Sequence, residues 1–103
     1  MRFLVKATIP VEAGNDLVRD PNFGTRLQQI LGDIGPEAAD FTAQDGQRTI
    51  YLIVNMEGAH ELPRVAEPLW LALEADVDCV PVMDQADMVK ATPSIEQAAK
   101  TYT

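Results

Sequence analysis

Alternation opens the chain: Phe3, Val5, Ala7 and Ile9 interleave with Arg2, Leu4, Lys6 and Thr8, the two-residue period of a strand whose side chains point to opposite faces. Pro10 ends it, because proline offers no N–H to continue a ladder. A second strand is predicted from Arg48 to Met56, with Ile50, Leu52, Val54 and Met56 on one face and Tyr51 and Ile53 on the other. Apolar groups on both faces mark it as a central strand. Residues 37–44 around Phe41 form a weaker strand. Asp45-Gly46 then joins the two as a hairpin, since both central residues of a tight primed turn need positive φ. A fourth strand is expected from Val77 to Met83, and Pro81 confines it to a sheet edge.

Between the strands the period changes to that of helices. Gly14 or Asn15 is expected to start a first helix carrying Leu17 and Val18, and Leu27, Ile30 and Leu31 continue its apolar stripe toward Gly32, with Pro21 and Gly24 breaking it in two. A second helix carries Leu62, Val65, Ala66, Leu69 and Leu73, three or four residues apart. Pro63 suits its first turn, whereas Pro68 removes an interior hydrogen bond and is expected to kink it at a cost of about 3 kcal/mol. Beyond Met83, Asp84 caps one short tail helix and Thr92-Pro93 starts another.

The order β, α, β, β, α, β predicts a ferredoxin-like α+β domain, with the core in residues 1–83 and a helical tail in residues 84–103. No linker or repeat divides the 103 residues into further domains. Right-handed crossovers give a four-stranded antiparallel sheet in the order 4-1-3-2, with both helices on one face. The other face then presents Leu4, Lys6, Thr8, Tyr51, Ile53 and Asn55. At ordinary strand spacing it covers on the order of 300 Å², near the largest apolar patch of a typical monomer. A symmetric homodimer through this open sheet face is the expected cover.

Composition narrows the partners. A hydrophobic fraction of 47% with 23% charged residues supports a packed core rather than disorder. Eight basic against sixteen acidic residues give a net charge of −8, which repels phosphate backbones and anionic lipid, so neither nucleic acid nor a membrane is an expected partner. The single cysteine, Cys79, excludes an internal disulfide and a thiolate zinc site, and a reducing cytoplasm fits best. No signal-peptide core and no run of ~18 apolar residues is present. Neither a metal nor a cofactor is expected, because one histidine, scattered carboxylates and isolated glycines match no metal-binding or phosphate-binding spacing.

Three strings, RFLVKATIPVEAGN, PEAADFTAQDGQRTIYLIVNM and VAEPLWLALEADVDCVPVM, resemble short bacterial proteins that look like members of the dimeric α+β barrel superfamily. The resemblance covers most of residues 1–90 and implies a sheet-to-sheet dimer. It supplies no assigned reaction. The wider superfamily includes cofactor-free monooxygenases, isomerases and small ligand-binding modules, and fold alone does not choose among them.

Residue chemistry offers several candidates. Lys6 is a cation within an apolar central strand, and must snorkel, pair or face a ligand. Tyr51 is expected on the same face. His60, the only histidine, has the titration range of an acid or base near neutral pH. Glu67 and Trp70 flank Pro68, whose interruption of the helix either opens space beside the sheet and exposes a carboxylate or is simply a packing solution. Arg19, Asp20 and Arg48 are candidate anion-site residues, although charges at helix ends and after hairpins are usually solvated. Cys79 in an apolar strand reads as a small buried hydrophobe. The expected function is a dimeric module binding a small ligand or a protein. A cofactor-independent isomerase or monooxygenase on a small organic acid is the alternative, with Lys6, Tyr51 and His60 as its polar groups. Any ligand site is expected near Lys6, Tyr51, Glu67 and Trp70, with the dimer partner bringing its helix to the open face.

Overall fold

Pro10 decides where the first strand stops and the first helix begins. In the computed structural model, which describes residues 1–103, β1 (Arg2–Ile9) runs up to it and α1 (Val11–Arg19) follows directly. The proline holds φ −54° and ψ 141°, and its carbonyl accepts the Gly14 N–H at 2.8 Å, which closes the first helical turn. The helix thus starts ahead of the Gly14–Asn15 position that the sequence suggested. A proline with its fixed φ already sets the entrance, so no side-chain cap is needed.

The predicted break at Pro21 is present. The Asp20 carboxylate accepts the Asn22 N–H at 2.9 Å, and α2 (Phe23–Ile34) then runs to Gly35, whose φ of 64° closes it. β2 (Ala38–Gln44) and β3 (Gln47–Asn55) form the hairpin. Asp45 and Gly46, at φ 54° and 76°, supply the two positive values that its tight turn requires. A single 3-10 turn (Ala59–Glu61) leads into α3 (Leu62–Leu73), which continues through Pro68, and β4 (Asp76–Pro81) completes the sheet.

The four strands lie in the order β2-β3-β1-β4, every neighbouring pair antiparallel. Read from the β4 edge, the same row is β4-β1-β3-β2. Pro81 closes β4 on that edge, where no further strand needs its missing N–H. With α1 and α2 sharing the first crossover and α3 the second, this is the ferredoxin-like α+β arrangement.

One face of the sheet carries the core. Val5, Ala7 and Ile9 of β1 and Ile50, Leu52 and Val54 of β3 are buried with Ile30 and Ile34 of α2 and Val65, Leu69 and Leu73 of α3. The spacing 65, 69, 73 keeps one side of α3 on the sheet despite Pro68, because burial along the whole helix outweighs the loss of one backbone hydrogen bond.

The tail departs from expectation. Instead of two short helices, α4 (Gln85–Tyr102) is one helix of 18 residues that passes through Pro93. Asp84 does cap it, in a reciprocal capping box with Asp87. Thr92 is no cap: its hydroxyl donates to the Met88 carbonyl at 3.0 Å, one turn back. α4 has no buried residue. A helix of this length spans about 27 Å, and the molecule measures 58 × 28 × 20 Å, so α4 stands out from the body as an arm. No helix is long and apolar enough to cross a membrane.

Candidate functional site

Strand register sorts the open face into rows, since directly paired residues share a face and stand about 5 Å apart. Ala38, Ile53, Leu4 and Val80 form one row across the four strands. Asp40, Tyr51, Lys6 and Asp78 form the next, and Thr42, Thr49, Thr8 and Asp76 a third. The face therefore grades from wholly apolar, through a cation flanked by a phenol and a carboxylate, to three hydroxyls and a further carboxylate. No helix packs on it. Leu4, Lys6, Tyr51 and Ile53 are half-buried by their own neighbours, and Val80 is exposed.

Lys6 and Tyr51 are thus direct cross-strand partners on β1 and β3. The Tyr51 hydroxyl donates to the Gln44 side-chain oxygen, which fixes the ring over β2. Lys6 stands opposite Asp78 of β4 but makes no ion pair within 4 Å. The remaining candidates lie elsewhere. Glu67 and Trp70 belong to α3, on the covered side of the sheet, and both are exposed because the helix buries Val65, Ala66, Leu69 and Leu73 instead. Within one chain the sheet itself separates them from Lys6 and Tyr51.

His60 lies in the 3-10 turn, exposed, with its ring folded back over Gly58; a Cβ at position 58 would come within 2.9 Å of Nδ1. Its neighbour Glu61 accepts the Glu57 N–H and pairs with Arg64 at 3.1 Å. The Glu57 N–H, with help from Arg64 and His60, holds the Glu61 carboxyl below its usual range against partial desolvation. That cluster ties down the start of α3: Arg64 also donates to the Ile34 carbonyl at 2.8 Å and so joins α3 to the end of α2. Cys79 is half-buried, and desolvation pushes its thiol up from the ordinary value.

A small cavity of about 190 Å³ lies on the other side of the sheet, between α2 and the β2–β3 hairpin. Its apolar walls are Ile9, Phe23, Leu27, Phe41 and Ile50, and Thr42, Thr49 and Arg48 complete the lining. Four of the five arginines pair with carboxylates: Arg2 with Glu37, Arg19 with Asp16, Arg26 with Asp20 and Arg64 with Glu61. Arg48 has no such partner. Its guanidinium donates to the Asn15 side-chain oxygen at 3.2 Å and lies against Gly14, the one buried residue of α1. The hairpin places Arg48 opposite Ile9, at the end of the sheet nearest α1. Sequence reading singled out Arg48 among several charges but missed the cavity. The available signal was Gly14, a glycine inside a helix, where alanine is favoured by about 1 kcal/mol.

A wider cleft of about 540 Å³ at the root of α4 is lined by Met1, Arg2, Pro81, Val82, Met83 and Asp87. Its cation, Arg2, is engaged by Glu37. No group of three or more His, Cys, Asp or Glu is arranged to hold a metal ion.

Element order and sheet topology place the chain in the ferredoxin-like α+β class. No protein-family model matches it, and no curated protein matches it. Among solved structures it is similar to the de novo designed protein Ferredog-Diesel, at 12% identity and a TM-score of 0.45, over 79% of this chain and 85% of that one.

Proposed function

We propose that the chain works as a homodimeric module for a small ligand, two copies closing their open sheet faces on each other in the manner of a dimeric α+β barrel. The observation that carries this reading is the uncovered apolar row Ala38, Ile53, Leu4 and Val80 beside the Lys6–Tyr51 pair. Closing two such faces removes the apolar row from water and leaves the Lys6 ammonium and Tyr51 phenol inside the joint, with the Asp40 and Asp78 carboxylates on the edge strands beside them. Those are the polar groups that would orient a small, partly apolar molecule.

Area argues that α4 takes part. Two faces of about 300 Å² bury roughly 600 Å² together, below the ~1,200 Å² at which specific interfaces begin. Met88, Ala91, Ile95, Ala98 and Tyr102 recur at the three- and four-residue spacing of one helical stripe. Met88 and Ile95 are 44% and 51% exposed and Tyr102 86% exposed, with no partner in their own chain. An arm from each copy laid along the other supplies the missing area, and brings a preformed helix to the joint.

Sedimentation velocity from about 1 to 100 µM tests the reading. The expected species has twice the 11.3 kDa chain mass. A single 11.3 kDa species throughout that range overturns it.

A further inference from the structure

We propose that the cavity between α2 and the β2–β3 hairpin binds a small monocarboxylic acid, its apolar body among Phe23, Leu27 and Phe41 and its carboxylate on Arg48. The site lies on the helix side of the sheet, within one chain, and stands or falls independently of the dimer.

Three features converge on it. The first is charge: in a protein of net charge −8, Arg48 is the one arginine without a carboxylate within 4 Å. A guanidinium presents planar paired donors that match a carboxylate, and only one of its nitrogens is engaged here, by the neutral Asn15.

The second is seating. A Cβ on Gly14 would meet Arg48 Nη1 at 2.6 Å, Cδ at 3.2 Å and Cζ at 3.4 Å. Gly14 has no positive φ to explain it. Its missing side chain is what lets the arginine lie across α1, and Asn15 in the next position holds the guanidinium there. The helix gives up about 1 kcal/mol of propensity for this arrangement, which would have no use for an arginine free in solvent.

The third is the cavity itself. Five of its eight lining residues are aliphatic or aromatic, with Thr42, Thr49 and Arg48 completing it, and Phe41 is 57% exposed on a strand whose other residues are small or polar. A volume of about 190 Å³ lies below the ~300 Å³ at which drug-sized sites begin, so the occupant has a compact ring or a short branched chain. Di- and tricarboxylates are disfavoured, because a second charge would sit among Leu27, Ile9 and Ile50 without a partner.

Benzoate is a suitable probe, titrated by NMR and calorimetry against the whole chain, with toluene and acetate as its apolar and charged halves. Benzoate is expected to saturate at low millimolar concentration or better, shifting resonances of Phe23, Leu27, Phe41 and the Arg48 side chain, and to bind at least tenfold more tightly than either half. Arg48→Met keeps the stem and removes the fork, and weakens benzoate roughly tenfold or more, the lower end for a lost charge-assisted hydrogen bond at a partly solvated site. Gly14→Ala keeps every charge yet displaces the guanidinium; it lowers benzoate affinity several-fold while the thermal transition stays in place, and it decides the matter if the methionine variant fails to fold. Arg19→Met removes an equal charge from α1, the helix that seats Arg48, and leaves affinity unchanged. No binding by 10 mM benzoate, toluene binding as tightly as benzoate, or affinity in Gly14→Ala and Arg48→Met within twofold of the parent each overturns the proposal.

Discussion

Replacing Ile53 by Asp puts one carboxylate at the centre of the apolar row, beside Leu4 on β1 and Ala38 on β2. In a single chain the change is mild. Ile53 is only half-buried and faces away from the core, so the cost is that of a poor strand former in a central strand, about 1 kcal/mol. In the proposed dimer the same carboxylate is shut away from water in the apolar row, where the nearest cation is Lys6 of the adjacent row, and pairing there would strip both charges of their hydration. That desolvation costs about 3 kcal/mol, and two-fold symmetry enters it twice. The dimer then loses roughly 6 kcal/mol, about four powers of ten in dissociation constant. A micromolar dimer becomes monomeric at every accessible concentration. Leu71→Asp, on the outer side of α3 at 80% exposure, is the matched control and leaves association unchanged. Sedimentation velocity reads the mass, and far-ultraviolet circular dichroism with a urea transition confirms that the chain still folds. A folded Ile53→Asp protein that associates as the parent does would refute the reasoning, since no other element covers that face.

Three further expectations follow from the packing. Leu69→Ala, at a fully buried position of α3, lowers unfolding stability by about 3–5 kcal/mol in urea, whereas Leu71→Ala stays within about 0.5 kcal/mol; equal effects would mean that α3 does not keep its face through Pro68. Ending the Ile53→Asp chain at Met83 leaves its melting temperature within a few degrees, because α4 buries nothing in its own chain, and a collapse of the remaining body would contradict that. Cys79, its thiol raised by burial, reacts with iodoacetamide at pH 7.5 more slowly than free cysteine, and its rate goes on rising with pH after that of free cysteine has levelled off; labelling at the free-thiol rate would show the site to be open.

The sheet was legible because its signals are local. Alternation fixes β1 and β3, Asp45-Gly46 fixes the hairpin, and Pro81 points to an edge. Helix boundaries were less legible where a proline has two readings. Pro10 looks like a strand stop and is also the entrance of α1, and Thr92-Pro93 looks like a helix start yet lies inside α4, where only the geometry of the preceding turn tells the two apart. Lys6 and Tyr51 share a face by parity alone, which is why the sequence paired them. Glu67 and Trp70 were grouped with them only through a helix brought across by a dimer partner, and within one chain they lie on the far side of the sheet. The Arg48 cavity was invisible for a different reason: its walls come from β1, α2, β2 and β3, and which of several charged residues lacks a partner is known only once every pair is placed.

Face-to-face closure of the sheets is the central claim, and isotope-filtered nuclear Overhauser measurements on a mixed dimer test it most directly. One copy carries labelled methyl groups and the other is unlabelled, so that only transfers between chains are seen. The account predicts transfers from the methyls of Leu4, Ile53 and Val80 of one copy to the open face of the other, including the Tyr51 ring, with further transfers from Met88 and Ile95 of the arm. A dimer whose inter-chain transfers are confined to α3 or to the outer side of α2, with none from Leu4 or Ile53, would contradict it.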